Sequence, residues 1–323
     1  MEFSNILVRA TNWVGDAVMC LPALLTIRGR FPQARIAILA KPAVADLYAR
    51  EPCADEVIRY SVTPWEMARE LRPRRFDCAI LLQNAFEAAW IAWLARIPHR
   101  IGYRRDGRGL LLTVGVPVPR RGEIPRHERF YYLELLRRAG MIESLPESPL
   151  IRLEQAGVKP AGIIGVSPGA AYGNAKRWLP ERFAEAAGKL ARARGASIAL
   201  FGSAGERSTC EQIAGLLNGH NVTNYAGRTT LAQFIDLAAG CELFLTNDSG
   251  AMHIASALGV PTVAIFGATD DAGTGPTGRN ARVVRQRVEC SPCLLRECPI
   301  DHRCMSRVSA DRVVKEALAL LVD

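Results

Sequence analysis

Three charged side chains stand just beyond strand-like runs, where a bound anion or a reacting hydroxyl would meet them: Asp16, Lys176 and Asp248. The stretch ELFLTNDSGAMH, residues 242–253, reads as an apolar strand running into a capped helix start. Asp248 or Ser249 suits the cap, Gly250 lets a ligand approach the backbone, and Gly259 and Pro261 end the helix. Such a junction aims unpaired N–H groups and the positive end of a helix dipole at one spot, as a phosphate or diphosphate requires. His253 falls in that first turn. An ordinary capped helix is the alternative. In the first loop, RATNWVGDAVMCLPAL (residues 9–24), Gly15 permits a tight turn and Asp16 lies at a helix start, where its carboxylate stays ionised. An ionised carboxylate facing a cleft is a general base toward a hydroxyl; its competing role is to cap the helix. Lys176 follows the Gly-rich SPGAAYGNAKRWLPERF (residues 167–183) and either neutralises a departing phosphate or sits solvated on a loop. Glu206, in FGSAGER (residues 201–207), either accepts from ribose hydroxyls or favours a helix N-terminus.

Elements that could position these residues alternate along the chain. Strands are expected at 6–9, 35–40, 57–60, 78–82 and 100–103, with helices at 16–30, 64–71 and 85–96, a β-α-β opening that implies a parallel sheet. Residues 141–160, interrupted by Pro146, Pro149 and Pro160, form the expected linker. The pattern then restarts with strands at 163–167, 197–201, 243–246 and 262–266 and helices at 180–194, 206–217, 231–239 and 250–258. A last helix at 309–321 could close either domain. The expected fold class is α/β, two doubly wound Rossmann-like domains, 1–150 and 151–323, facing across a cleft. G-x-G-x-x-G and Walker patterns are both absent.

The composition, 49% hydrophobic and 23% charged over 323 residues, is that of a soluble globular protein. MEFSNILV has no basic n-region, and the most apolar stretch, 78–94, is broken by Gln83, Asn84 and Glu87, so neither a secretory signal nor a transmembrane helix is expected and the chain is placed in the cytoplasm. Charge is unevenly distributed: residues 1–140 hold 22 Lys plus Arg against 14 Asp plus Glu, and the remainder 19 against 18. Twenty-one of the 22 are Arg, in clusters at Arg72, Arg74 and Arg75; Arg100, Arg104, Arg105 and Arg108; and Arg120, Arg121, Arg126 and Arg129. A solvated surface, nucleic acid, and an anionic acceptor or membrane are the three readings; interleaved aromatics that would favour nucleic acid are lacking. Five cysteines are scattered singly, while Cys290, Cys293, Cys298 and Cys304 are spaced C-x2-C-x4-C-x5-C around His302. That spacing permits a structural metal, but Pro292 and Pro299 suit a plain loop, and no metal is the expectation.

NWVGDAVMCLPAL, PGAAYGNAKRW, TNDSGAMHIASALGVPTVAIFG and ECSPCLLRECPIDHRCM, in this order across roughly residues 5–320, resemble the bacterial ADP-heptose:lipopolysaccharide heptosyltransferases, glycosyltransferase family 9. The WVGD and AKRW forms are most similar to its heptosyltransferase II members. The resemblance implies a GT-B fold, an inverting mechanism, an N-terminal acceptor-binding domain and a C-terminal nucleotide-sugar-binding domain. By position it makes Asp16 the base and Lys176 the phosphate-contacting lysine. Glu206 becomes the ribose contact, and Asp248, Ser249, Gly250 and His253 the diphosphate and sugar site. Asn12, Arg100, Arg104 and Arg105 are the acceptor-binding expectation. The implied donor is ADP-L-glycero-β-D-manno-heptose and the implied acceptor the first heptose of the lipopolysaccharide inner core on lipid A, met at the inner face of the inner membrane, with no cofactor and no nucleic acid. The alternatives are another acceptor within the family, as for heptosyltransferase I or a later core enzyme, and a non-catalytic binder of anionic glycolipid or nucleic acid.

Overall fold

The computed structural model describes residues 2–154 and 161–322, and the chain divides into two compact units, Met1–Ile151 and Arg152–Asp323. In the first unit β1 (Asn5–Arg9) leads into α1 (Val14–Met19) and α2 (Leu21–Arg30), followed by β2 (Arg35–Ala40), α3 (Pro42–Tyr48) and β3 (Glu56–Arg59). The chain continues through α4 (Pro64–Leu71), β4 (Cys78–Leu81), α5 (Phe86–Leu94), β5 (His99–Tyr103), β6 (Val114–Val116) and α6 (Arg129–Arg138). The second unit begins β7 (Ile163–Ser167), α7 (Pro180–Arg194), β8 (Ser197–Leu200), α8 (Arg207–Leu216), β9 (Val222–Asn224) and α9 (Leu231–Ala239). It ends with β10 (Leu243–Asn247), α10 (Gly250–Ala257), β11 (Thr262–Phe266), α11 (Asp271–Thr274), β12 (Ala281–Arg285), α12 (Arg303–Ser306) and α13 (Ala310–Leu320).

Each unit holds one six-stranded parallel sheet, ordered β3-β2-β1-β4-β5-β6 in the first and β12-β11-β10-β7-β8-β9 in the second. Parallel strands are covered on both faces, so their residues are apolar in unbroken runs. Ile6, Leu7 and Val8 are buried, as are Val263, Ala264 and Ile265. Strand order reverses between β1 and β4 and again between β7 and β10. Loops leave the carboxyl ends of such a pair in opposite directions and open a crevice there. The segments that lead to Asp16, in α1, and to Lys176 start at those two places.

Several elements differ from expectation. The helix expected at 16–30 is broken at Cys20, because Pro22, second in α2, has no N–H and its ring crowds the carbonyl four residues back. α3, α6, β6, β9 and β12 were not anticipated. α6, RFYYLELLRR, hides its apolar period because Glu134 is buried within it; two arginines of the same helix, Arg137 and Arg138, hold that carboxylate at 2.7 and 2.6 Å. β6 and β9 are three-residue edge strands, too short to show a period. The expected linker lies partly outside the described residues, at 155–160. α13 belongs to the second unit, packing on α7, β11 and β12.

Candidate active site

In the second unit the switch-point loop, residues 168–178, is fastened at both ends by one side chain. Asn247, fully buried at the end of β10, donates from Nδ2 to Pro168 O (2.7 Å) and accepts at Oδ1 from the Trp178 N–H (3.0 Å). The Trp178 indole is in turn buried and donates to Val308 O at 3.1 Å. Held this way, the loop carries Lys176 back over the sheet edge, where Nζ donates to Asp248 Oδ2 at 2.6 Å. Thr269, just after β11, donates to the same oxygen at 2.6 Å. Lys176 and Asp248 expose only 14% and 5% of their side chains, so the ion pair is largely desolvated and its lysine is fixed rather than solvated.

Asp248 therefore does not cap α10. Ser249 occupies the cap position, but its hydroxyl meets Thr246 Oγ1 at 3.1 Å and makes no side-chain cap bond. The first-turn N–H groups of α10 have no carbonyl within their own helix to pair with and stand at the carboxyl edge of β10. His253, the fourth residue of α10, is buried. Glu206 closes a capping box, accepting at Oε2 from the Ser203 N–H (2.8 Å) and hydroxyl (2.9 Å). Its carboxylate also fills the space beside Gly169, where an added Cβ would lie 1.9 Å from Oε1. Lys176, Glu206 and the Asp248–His253 stretch thus come from the carboxyl ends of β7, β8 and β10, three adjacent strands.

A second contact to this loop was not foreseen. The cysteine-bearing segment 290–304 lies against it: Tyr172 Oη donates to Leu294 O at 2.8 Å and the Ala175 N–H to Arg296 O at 3.0 Å. His302 Nε2 donates to Ala175 O at 3.0 Å, which fixes the proton on that nitrogen. Gly173 is required, since an added Cβ would stand 2.2 Å from Arg296 O. The Tyr172 ring has Lys176 Nζ at 4.9 Å and Arg296 Cζ at 5.3 Å from its centroid. All nine cysteines are free thiols. Cys304 is pushed up by burial and by its neighbours Cys290, Cys293 and Cys298, but among the described residues no three His, Cys, Asp or Glu side chains converge in a geometry that would hold a metal.

In the first unit Asp16 is the third residue of α1, half-buried, and the cap is Trp13 without a side-chain bond. Glu128 and Tyr132, one turn apart at the start of α6, lie within electrostatic reach of Asp16. Burial, then the charge of Asp16, pushes the Glu128 carboxyl up from the ordinary 4.5 to about 7. Between those two values the unfolded chain ionises first, so Glu128 makes stability fall as pH rises through that window. Glu128→Gln should therefore be more stable than wild type at pH 8 and gain nothing near pH 4. Denaturant titrations of both proteins across this range check it, and a pH-independent difference would refute it.

The arginines divide into internal fasteners and rim groups. Arg108 is fully buried, donating to Tyr103 O (2.9 Å), Gln83 O (2.5 Å) and Asn84 Oδ1 (3.0 Å), and burial pushes it down to about 10. Arg9, also buried, donates to Ala10 O (2.7 Å) and to Asn12 Oδ1 (3.0 Å), which orients Asn12 beside the Asp16 loop. Arg100 sits at the start of β5 with its guanidinium on the carbonyls of Leu111 and Ile97. Four residues of strand, about 13 Å, separate it from Arg104 at the carboxyl edge. Arg104 lays its stem on Gly115, and Arg105 reaches Tyr131 Oη at 3.4 Å, an oxygen that also accepts from Asn84 at 3.0 Å. The structure thus groups Asn12, Arg104 and Arg105 near the edge bearing Asp16 and leaves Arg100 elsewhere. Glu128, Tyr131 and Thr269 carried no sequence signal, because each is recruited by tertiary contact alone; His302 stood out only as part of the cysteine cluster, and its bond to Ala175 O was not legible there.

Two doubly wound parallel sheets, the second bearing a desolvated lysine and a helix N-terminus at its switch point, are the GT-B arrangement of glycosyltransferases that use nucleotide sugars. The model of the family "Glycosyltransferase family 9 (heptosyltransferase)" matches residues 65–303. The chain is 33% identical to lipopolysaccharide heptosyltransferase 2 of Escherichia coli, over 87% of this chain and 88% of that protein. It is 26% identical to lipopolysaccharide heptosyltransferase 1 of Pseudomonas aeruginosa, over 98% of each. The solved structure of the E. coli ADP-heptose lipopolysaccharide heptosyltransferase II matches with a TM-score of 0.84 at 31% identity, covering 100% of this chain and 99% of that one. The chain belongs to glycosyltransferase family 9, the heptosyltransferases, and is a glycosyltransferase.

Proposed function

We propose that this enzyme is a heptosyltransferase of the second kind. It moves heptose from ADP-L-glycero-β-D-manno-heptose to the first heptose of heptosyl-Kdo2-lipid A, in lipopolysaccharide core assembly at the inner face of the inner membrane. The observation that carries this reading is the desolvated Lys176–Asp248 pair at the second switch point, in a chain more similar to heptosyltransferase 2 than to heptosyltransferase 1. Asp16 takes the proton from an acceptor heptose hydroxyl as that oxygen bonds to the donor's anomeric carbon. The carbon–oxygen bond to ADP breaks on the opposite face, inverting the centre, and ADP carries away the electron pair. Lys176 and the first-turn N–H groups of α10 stabilise the charge growing on the diphosphate. Asp248 and Thr269 hold Lys176 in place, Ser249, Gly250 and His253 line the diphosphate and sugar, and the remaining acceptor capacity of Glu206 meets the ribose. Asn12, Arg104 and Arg105 contact the anionic acceptor.

Incubation with donor and acceptor should release one ADP per heptose added and give an α-linked product by NMR; a β-linked product or ADP release without transfer would overturn the mechanism. The bracing of the lysine loop predicts a smaller effect. His302→Ala loses one neutral hydrogen bond and should weaken ADP binding roughly 3- to 10-fold. His302→Gln, whose amide can donate to Ala175 O, should restore most of it. Calorimetric titration reads both, and equal weakening in the two variants would contradict the bracing role.

A further inference from the structure

The transferase machinery leaves one surface of the first unit unexplained. Phe86, Trp90 and Trp93 recur at spacings of four and three along α5 and so form one stripe; Phe86 and Trp93 expose 46% and 49% of their surface. Alongside, Trp65 at the start of α4 exposes 62% and meets Trp90 edge-on, ring centroids 5.6 Å apart. Three of the chain's five tryptophans therefore stand together on two neighbouring helices. Burial explains the inner faces of both helices, through Met67, Ala68 and Leu71 on one and Ala88, Ala89, Ile91 and Ala92 on the other, but not this outer one. Aromatic surface of this extent left in water signals a partner.

Its border is cationic. Arg69 follows Trp65 by one turn of α4, Arg72 stands at the C-terminal end of that helix, and Arg96 is exposed just past α5. A groove of about 350 Å³ runs between the helices, lined by Trp65, Glu66, Ala68, Arg69, Arg72 and Leu94. The two acids of α4 are engaged: Glu66 in a capping box with Thr63 (2.7 Å) and Glu70 with Arg74 (3.6 Å). Indole rings beside guanidinium groups match the water–bilayer boundary, where the rings sit at headgroup depth and the cations meet anionic phosphates. Among the described residues no helix is long and apolar enough to cross a membrane.

We propose that the α4–α5 face, built on Trp65, Trp90, Trp93, Arg69 and Arg72, docks this enzyme onto an anionic phospholipid bilayer. The inference rests on the lipid-anchored acceptor of the proposed function and specifies how that acceptor is approached. The test is sedimentation with phosphatidylethanolamine–phosphatidylglycerol vesicles and with phosphatidylcholine vesicles, for wild type, Trp65→Ser/Trp93→Ser and Arg69→Glu/Arg72→Glu. Wild type should pellet with the anionic vesicles only, less so at high salt, and each double variant should bind at least tenfold more weakly. Turnover on a lipid-free heptosyl-Kdo acceptor should be the same in all three, since none of these residues lies in the catalytic machinery; this assay also reports the proposed function separately from docking. Vesicle binding unchanged in the variants, or absent in wild type, would overturn the proposal. So would self-association of the wild type that the tryptophan changes abolish, which would assign the face to a second copy of the chain.

Discussion

Asp16→Ala is expected to lower turnover by roughly 10²- to 10⁴-fold while leaving ADP affinity nearly unchanged, the split that loss of a general base produces. Asp16, the proposed base, has a second carboxyl within electrostatic reach, that of Glu128. A carboxyl held near 7 is partly protonated at neutral pH and acts poorly as a proton acceptor there. Burial and the charge of Asp16 disfavour a second negative charge at Glu128, so in the proposed mechanism the base role falls to Asp16. Asp16→Asn keeps the side chain's shape but removes its basicity, so it should be as impaired as the alanine. Steady-state kinetics with calorimetric ADP titration check both, and wild-type turnover in either variant would remove Asp16 from the mechanism.

Lys176→Ala should have the second largest effect, with kcat/KM falling roughly 10²- to 10³-fold and ADP binding weakened as well. The desolvated ion pair adds a stability signature. Removing the lysine leaves Asp248 buried with Thr269 as its remaining donor, at a cost of roughly 3 kcal/mol. Adding Asp248→Asn removes the orphaned charge, so Lys176→Ala/Asp248→Asn should recover much of the stability and none of the activity. Denaturant unfolding and the coupled ADP assay separate the two quantities. Recovery of activity in the double variant would show that Lys176 serves only to pair Asp248.

What could be read from the chain alone was set by how local each signal is. The strands of both sheets announce themselves through runs such as Ile6–Val8 and Val263–Ile265, because parallel strands bury both faces and need no alternation to be seen. Edge strands of three residues, and α6 with its buried Glu134, fall below that threshold or mask it. At the candidate site, Asp16, Lys176 and Asp248 are visible since each follows a sheet strand and has a glycine within three residues. Their supports are not, because Thr269 reaches Asp248 from 21 residues away and His302 reaches Ala175 in the lysine loop from 127. Arg100 shows the converse error: a cluster in sequence spreads along β5, so neighbours in the chain end at different edges of the sheet.

The central claim, that this chain adds the second heptose of the inner core, is tested most directly by offering ADP-heptose with two acceptors, Kdo2-lipid A and heptosyl-Kdo2-lipid A. Transfer is expected to the acceptor already carrying one heptose, and essentially none to the unheptosylated one. Efficient transfer to Kdo2-lipid A, with the heptosylated acceptor left unchanged, would contradict it.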